Sequence, residues 1–240
     1  DLFLTTILLA GLVLGVFMPF SVFGAEILID SYSKDNQSGG WPIYHSTWGY
    51  GGQSFTNLVN TSITRAVFYG NKNPNKPLIG PVYAELWSHT GEYGTSSKPL
   101  TLLATSDVIN PLTIRYYNYE PIIAYFTGVN QYEMIANTKY VIVLHNLSPW
   151  DVTIAIDNSP THSGNACSAN YVPIWTVRNF DFIFEVYGET LYTPPTITSL
   201  HQFKSDATST ISEGEATTED TVVFGALLQS SLTNQLRLEI

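Results

Sequence analysis

The chain has one cysteine, Cys167, few charged residues and no cluster of Lys and Arg. A single cysteine cannot form an intramolecular disulfide, so a hydrophobic core must hold the fold. We interpret Cys167 as a small buried or loop residue and not as a nucleophile. Acidic residues outnumber basic ones by 20 to 10, for a net charge of −10. Because a nucleic-acid ligand needs a basic surface to displace phosphate counterions, this composition excludes nucleic acid as a partner.

Sequence motifs for common hydrolases are also missing. The chain has neither the Gly-x-Ser-x-Gly elbow of α/β-hydrolases nor the His-Glu-x-x-His helix of zinc proteases. Its five histidines are far apart in sequence, so we expect them to make ordinary hydrogen bonds; His89 and His145, at the ends of two predicted strands, are the pair that folding could bring together. We therefore expect a protein that is not an enzyme.

An uncharged apolar run from Leu2 to Phe23 ends at Ala25-Glu26. It predicts a hydrophobic leader helix over residues 1–25, which is either a cleaved export signal or a retained membrane segment. The small residues Gly24 and Ala25 and the helix-breaking Pro19 favour the signal. The chain starts at Asp1 without a methionine, so we expect a fragment of a longer protein.

Residues 26–189 show short apolar runs separated by turn residues, and no helical periodicity of 3.6 follows residue 25. Val152, Ile154 and Ile156 alternate with polar or small residues, which is typical of strands with one buried face. The sequence predicts an all-β domain, a jelly-roll-like antiparallel β-sandwich. The predicted strands are Glu26–Ser33, Gln53–Thr56, Ile63–Tyr69, Val82–His89, Thr101–Ser106, Pro121–Thr127, Tyr140–Leu147, Val152–Asp157, Tyr171–Val177 and Phe180–Tyr187.

The composition of the sequence changes after the predicted sandwich. Residues 190–198 contain Pro194-Pro195, which stiffens the chain and cannot pair in a central strand, so this segment is predicted to be a linker. Residues 199–240 turn from acidic to apolar and predict the truncated start of a second β-domain, similar to an immunoglobulin or cadherin repeat.

Several short segments resemble one family of modules. They are Gly52–Thr56, Ile63–Tyr69, Tyr83–Leu86, Gly91–Thr95, Leu103–Ser106, Tyr140–Leu144 and Phe182–Gly188. Their order resembles the jelly-roll, carbohydrate-binding-module-like domains of bacterial surface and secreted proteins, of the choice-of-anchor R type. The resemblance covers residues 27–188 and implies a non-catalytic extracellular module, without catalytic residues to transfer.

A glycine-rich loop, residues 39–52, concentrates aromatic residues. Sugar rings stack their apolar C–H faces on aromatic rings, while amides bind the hydroxyls. We therefore expect a glycan platform, with the alternative that the same rings close one end of the sandwich as a small core. The predicted glycan-binding residues are Trp41, Tyr44, Trp48, Tyr50, Gln53, Tyr93 and Trp150.

The chain needs no cofactor by these patterns, and calcium is the one metal that its loop carboxylates suggest. The predicted calcium ligands are Asp30, Asp35, Asp157 and Asp181. Glu85 and Glu185 lie on predicted strands, so a pair of facing acids, as in jelly-roll glycosidases, is the alternative to ordinary solvent-facing acids.

Taken together, the patterns predict a bacterial, secreted or surface-displayed adhesion module that contacts glycans or extracellular proteins. It would meet a membrane only through an uncleaved leader. The alternatives are a structural spacer in a multidomain surface protein and, third, a jelly-roll glycoside-active enzyme.

Overall fold

The computed structural model describes residues 25–44, 49–170, 173–191, 196–203, 210–211 and 223–229. The predicted leader over residues 1–25 lies outside this range except for Ala25. The chain divides into two compact units, Asp1–Leu191 and Tyr192–Ile240. No helix among the described residues is long and apolar enough to cross a bilayer.

The first unit is built from antiparallel strands and two short 3-10 helices, Lys34–Asn36 and Gly128–Asn130. Its strands are β1 (Glu26–Tyr32), β2 (Gly39–Ile43), β3 (Tyr50–Asn57), β4 (Thr61–Lys72), β5 (Val82–Thr90), β6 (Lys98–Thr105), β7 (Glu120–Tyr125), β8 (Glu133–Met134), β9 (Thr138–Asn146), β10 (Val152–Asp157), β11 (Ala166–Ala169), β12 (Trp175–Val177), β13 (Asp181–Phe182) and β14 (Phe184–Thr190).

These strands form two antiparallel sheets. The large sheet has the order β1-β14-β4-β10-β13, with β2 paired to β10 and both β7 and β8 paired to β4. The small sheet has the order β12-β11-β3-β9-β5-β6. The predicted all-β sandwich of antiparallel strands is thus confirmed.

The sequence patterns did not predict three of the strands, and there is a physical reason for each omission. β2 contains Gly39, Gly40 and Pro42, which are typical of loops, but it pairs only with β10, so the missing N–H of Pro42 is tolerated. β11 consists of four small residues, and β8 is two residues long. The predicted strand Tyr171–Val177 is reduced to β12, since Pro173 and Ile174 are unpaired and Tyr171 lies outside the described residues.

The main core lies between the two sheets. Phe68 of β4 and Phe184 of β14 are directly paired and fully buried, and Phe55 of β3 meets them from the small sheet. Burying one such side chain contributes about 1.5–3 kcal/mol relative to leaving it in water. Alternation along each strand supplies these inward residues, so the core needs no disulfide.

The small sheet also buries part of its other face. Its edge strands β12 and β6 contact each other, so the sheet curls and the face turned away from the main core is concave. Val141, Val143 and Cys167 are fully buried there, and large rings pack over them. Antiparallel sandwiches commonly leave one sheet face exposed to water. A concave face covered by aromatic rings departs from that pattern and is therefore a candidate functional site.

The second unit contains a three-stranded antiparallel sheet in the order β16-β15-β17. Its strands are β15 (Thr196–Phe203), β16 (Thr210–Ile211) and β17 (Val223–Gln229). β15 begins at Thr196, inside the segment predicted as a linker, because Pro194-Pro195 precede the strand and do not interrupt it.

Candidate functional site

The concave face of the small sheet brings together side chains from five strands. In the register, Tyr83 of β5 is paired with His145 of β9, which is paired with Tyr50 of β3. Tyr50 is paired in turn with Ala169 of β11, whose other neighbour is Trp175 of β12. Residues that are paired across strands share a face, so these side chains form one row over the curl.

The rings of this row contact one another. Tyr50 stacks on His145 with ring centroids 3.9 Å apart, and the edge of Tyr83 meets the same imidazole at 4.8 Å. Trp175 contacts Tyr50 at 5.5 Å and Trp87 at 5.9 Å, both edge to face. All of these rings except His145 are half-buried. We call Tyr50, Tyr83, Trp87, His145 and Trp175, together with Glu85, the aromatic cradle.

Glu85 is the polar centre of the cradle. Its side chain accepts a hydrogen bond from Nδ1 of His145 at 2.8 Å and another from Nε1 of Trp87 at 2.8 Å. Glu85 is 5% exposed and His145 is 6% exposed. Since a carboxylate only accepts, Nδ1 of His145 carries the hydrogen, and Nε2 is the acceptor of the neutral ring. The pair fixes the tautomer of His145 and the orientation of the Trp87 indole.

The floor of the cradle is apolar and depends on a glycine. Gly52 lies between the fully buried Val143 and Cys167 in the register. A Cβ at Gly52 would be 2.8 Å from Cγ2 of Val143 and 3.1 Å from the carbonyl oxygen of Ile142. A side chain at this position would force Val143 or the strand backbone to shift, so the close packing of β3 against β9 favours glycine.

Burial changes the proton affinity of the groups that line the cradle. Desolvation raises the pKa of Tyr83, and the nearby Glu85 carboxylate raises it further. Complete burial also raises the pKa of the Cys167 thiol. Tyr83 and Cys167 therefore stay protonated over the physiological range, and neither supplies a nucleophile there.

Of the seven predicted glycan-binding residues, Tyr50 belongs to the cradle. Trp41 packs half-buried against the main core, with its ring 5.0 Å from that of Phe180 and 4.7 Å from the guanidinium carbon of Arg178. Gln53 points the other way and is fully buried, where it bonds Asp181 and the backbone N–H of Phe182. Tyr44 is half-buried, and Trp48 lies outside the described residues.

The last two predicted residues lie on loops away from Tyr50. The hydroxyl of Tyr93 is 3.3 Å from that of Ser163, and Lys139 Nζ lies 4.8 Å from its ring. Trp150 is 37% exposed, and Lys76 Nζ lies 5.5 Å from its ring. The predicted platform is thus distributed over several parts of the sandwich, and a different set of rings surrounds Tyr50.

Three of the four predicted calcium ligands, Asp157, Asp181 and Asp30, form hydrogen bonds with other groups of the first unit. Asp157 accepts from the hydroxyls of Tyr32 at 2.6 Å and Ser38 at 3.1 Å. The Tyr32 hydrogen bond is the largest cause that lowers the pKa of Asp157. Asp181 is buried, and desolvation raises its pKa.

Asp30 and Asp181 meet at His162. The backbone N–H of Gly164 donates to Nδ1 of His162 at 3.0 Å, so Nε2 carries the hydrogen and lies 3.3 Å from Oδ1 of Asp30. The backbone N–H of His162 donates to Asp181 at 3.0 Å. Asp35 stays exposed on its 3-10 helix. Across the described ranges, no group of three or more His, Cys, Asp or Glu side chains is placed to hold a metal ion.

Glu85 and Glu185 lie on faces that point apart. Glu185 is on the outer face of the large sheet, where it accepts hydrogen bonds from the hydroxyls of Tyr69 and Tyr187. Desolvation and the hydrogen bond to Glu185 raise the pKa of Tyr69 to about 12. The two carboxylates therefore do not form the facing pair that glycoside hydrolysis requires.

Sequence reasoning missed His145 and Trp175 as partners of Tyr50. The alternation of Tyr83, Glu85 and Trp87 in one strand is readable and places them on a common face. Which strands flank that strand, and in what register, is decided by long-range pairing that the alternation does not encode.

No family model matches this chain, and neither a curated protein nor a solved structure is significantly similar to it.

Proposed function

We propose that the protein is an exported, non-catalytic binding or adhesion module that contacts glycans through the aromatic cradle. The observation that carries the proposal is the row of half-buried rings around the Glu85–His145 pair on a concave sheet face. The apolar run 2–23 and the low content of charged residues support an extracytoplasmic location on, or release from, a bacterial cell.

The chemistry of the cradle suits a sugar ring. Trp87, Trp175, Tyr50 and Tyr83 offer partly exposed ring surface for the apolar C–H face of a sugar. His145 adds polar ring atoms among them, and the tyrosine hydroxyls both donate and accept hydrogen bonds. Such a concave, largely apolar surface with a few fixed polar groups is the usual form of a small-ligand site.

The jelly-roll type of sandwich and the likeness to carbohydrate-binding modules of choice-of-anchor R proteins are part of the same proposal. Two antiparallel sheets, one of them curled around an aromatic face, are what that architecture would provide.

A structural spacer is the second candidate function, and one observation favours it. Trp87, Trp175 and Tyr50 pack over Val141, Val143 and Cys167, as rings do when they only cover a small core. The two functions differ in one respect: a spacer retains no glycan, whatever the state of these rings.

The test is a glycan array probed with the full chain, with and without calcium. We expect saturable binding to a defined glycan. In Trp175→Ala the edge strand β12 loses its ring, and covering one ring face is worth roughly 80 Å² of apolar surface or about 2 kcal/mol. Affinity should therefore fall about thirtyfold.

Tyr125→Ala is the matched control, because Tyr125 is an exposed ring on β7 of the large sheet. It should bind like the wild type. A silent array from a folded protein would move the assignment to the spacer, and equal losses in Trp175→Ala and Tyr125→Ala would remove the cradle as the site. Binding that requires calcium would instead support the four predicted aspartates as calcium ligands.

A further inference from the structure

Tyr117 adopts a backbone conformation that tyrosine rarely accepts. Its φ is +66°, and the N–H of Asn118 donates to the carbonyl of Tyr116 at 2.7 Å. This is a γ-turn of the strained, positive-φ kind, centred on Tyr117. The ring of Tyr117 is 75% exposed, so the strain is not offset by burying it.

The end of β4 holds the strained turn in place. Nδ2 of Asn71 donates to the carbonyl of Tyr117 at 3.2 Å, and the N–H of Lys72 donates to the carbonyl of Arg115 at 2.9 Å. Lys72 is buried, and its ammonium lies 4.9 Å from the ring centroid of Tyr116. Strained residues persist where the surrounding structure fixes them, and such places are enriched in ligand sites.

The ammonium of Lys72 also binds the carbonyl of Pro111 at the start of the same loop. Further along, Tyr119 packs half-buried against the main core, which anchors the other side of the turn. The loop is therefore fastened before and after Tyr117, whose ring projects further into solvent than that of Tyr116, at 75% against 50% exposed.

The projecting ring lines a polar groove of about 450 Å³. Besides Tyr117, Lys72 and Pro74, the lining side chains carry amide, carboxylate or hydroxyl groups, and they are Asn71, Asn73, Asn75, Asp151 and Thr153. Asn75 is exposed, and Asn73, Asp151 and Thr153 are half-buried. Within this set, Oδ1 of Asn73 accepts the N–H of Asn75, and Oδ1 of Asp151 lies 3.5 Å from Nζ of Lys76. One aromatic face beside several amides and a carboxylate suits a polyhydroxylated ring and offers little to an apolar peptide.

We propose that this groove, the Tyr117 groove, is a second carbohydrate-binding site, in which a neutral sugar ring stacks on Tyr117 and its hydroxyls bind the amides and Asp151. The groove is built on β4 and β10 of the large sheet, whereas the aromatic cradle lies on the small sheet. The two sites share no residue, so this proposal does not depend on the cradle being a site. Two sites on one module would raise the avidity for a long or repeated glycan.

The test uses the full chain on an array of neutral oligosaccharides, followed by titration calorimetry with the best-retained one. Tyr117→Ala removes the stacking ring and should weaken binding at this site at least tenfold. Tyr117→Phe keeps the ring and should bind within threefold of the wild type. Tyr117→Gly removes the ring and also relieves the positive φ, so it should lose binding while its melting temperature stays equal or rises.

That last combination separates a ligand role from a structural role, because a residue kept for stability would lower the melting temperature when replaced. If Tyr117→Ala fails to fold, Tyr117→Gly takes its place. Unchanged binding in the Ala and Gly variants would overturn the proposal, as would loss of binding in Tyr117→Phe.

The Trp175→Ala background keeps this test apart from that of the cradle. If Trp175→Ala weakens binding and Tyr117→Ala leaves it unchanged, the result supports the cradle and overturns the Tyr117 groove. The reverse pattern supports the groove and overturns the cradle. Additive losses support both sites, and an array without any retained glycan overturns both.

Discussion

Removal of the Glu85 carboxylate should destabilise the first unit by about 2–4 kcal/mol. In Glu85→Ala, the Nδ1–H of His145 loses its acceptor at a position that is 6% exposed. A buried donor without a partner costs about 1–3 kcal/mol. Trp87 is a half-buried residue, so we expect its Nε1–H to bond water instead and to add little. The lost methylene of a 5% exposed side chain adds about 1 kcal/mol.

The assay is urea unfolding followed by tryptophan fluorescence, which reports on the first unit because all five tryptophans precede residue 192. Glu92→Ala is the control, since Glu92 is exposed in the β5–β6 turn, and it should change the free energy of unfolding by less than about 0.5 kcal/mol. The double variant Glu85→Leu/His145→Phe should lose less than the sum of its single changes, because it leaves no unpaired donor on His145. Equal stability of Glu85→Ala and Glu92→Ala would refute the role given to the carboxylate.

Three further predictions concern other parts of the molecule. The folded-state pKa of Asp157 is lowered, so its contribution to stability is complete above the unfolded pKa near 4 and is lost as the pH falls through the folded pKa. Tyr32→Phe removes the hydrogen bond to Asp157 and should therefore flatten the decline of the unfolding free energy between pH 5 and pH 2. An unchanged slope would contradict this. Gly52→Ala should cost about 1–3 kcal/mol in urea unfolding, because its Cβ would crowd Val143, and a wild-type midpoint would show that the floor can yield. Cys167 should resist a thiol reagent in the folded protein and react fully in denaturant, so rapid native labelling would contradict its burial.

The fold class was readable from the sequence because alternation within single strands is a local property. Val152, Ile154 and Ile156 alternate in the sequence and are all buried in β10. β2 was not readable, because Gly39, Gly40 and Pro42 carry the local signature of a loop. Its pairing with β10 is a long-range contact that overrides local propensity.

The candidate site was readable only in part for the same reason. Glu85 could be assigned to a face with Tyr83 and Trp87, since all three lie on one strand. The partners His145 and Trp175 come from strands about 60 and 90 positions later, and strand order and the curl of the small sheet bring them close. Gln53 illustrates the opposite error: it adjoins the aromatic loop in sequence, but its place in β3 turns it into the interior.

The most direct test of the central claim is a titration of the ¹⁵N-labelled full chain with the oligosaccharide that the array retains best, followed through the five tryptophan indole N–H signals. If the cradle binds the sugar, the signals of Trp87 and Trp175 shift saturably, and that of Trp41, which packs on the main core, stays in place. Shifts confined to the other tryptophans, or no shift at all during binding, would contradict the assignment of the cradle as the glycan site.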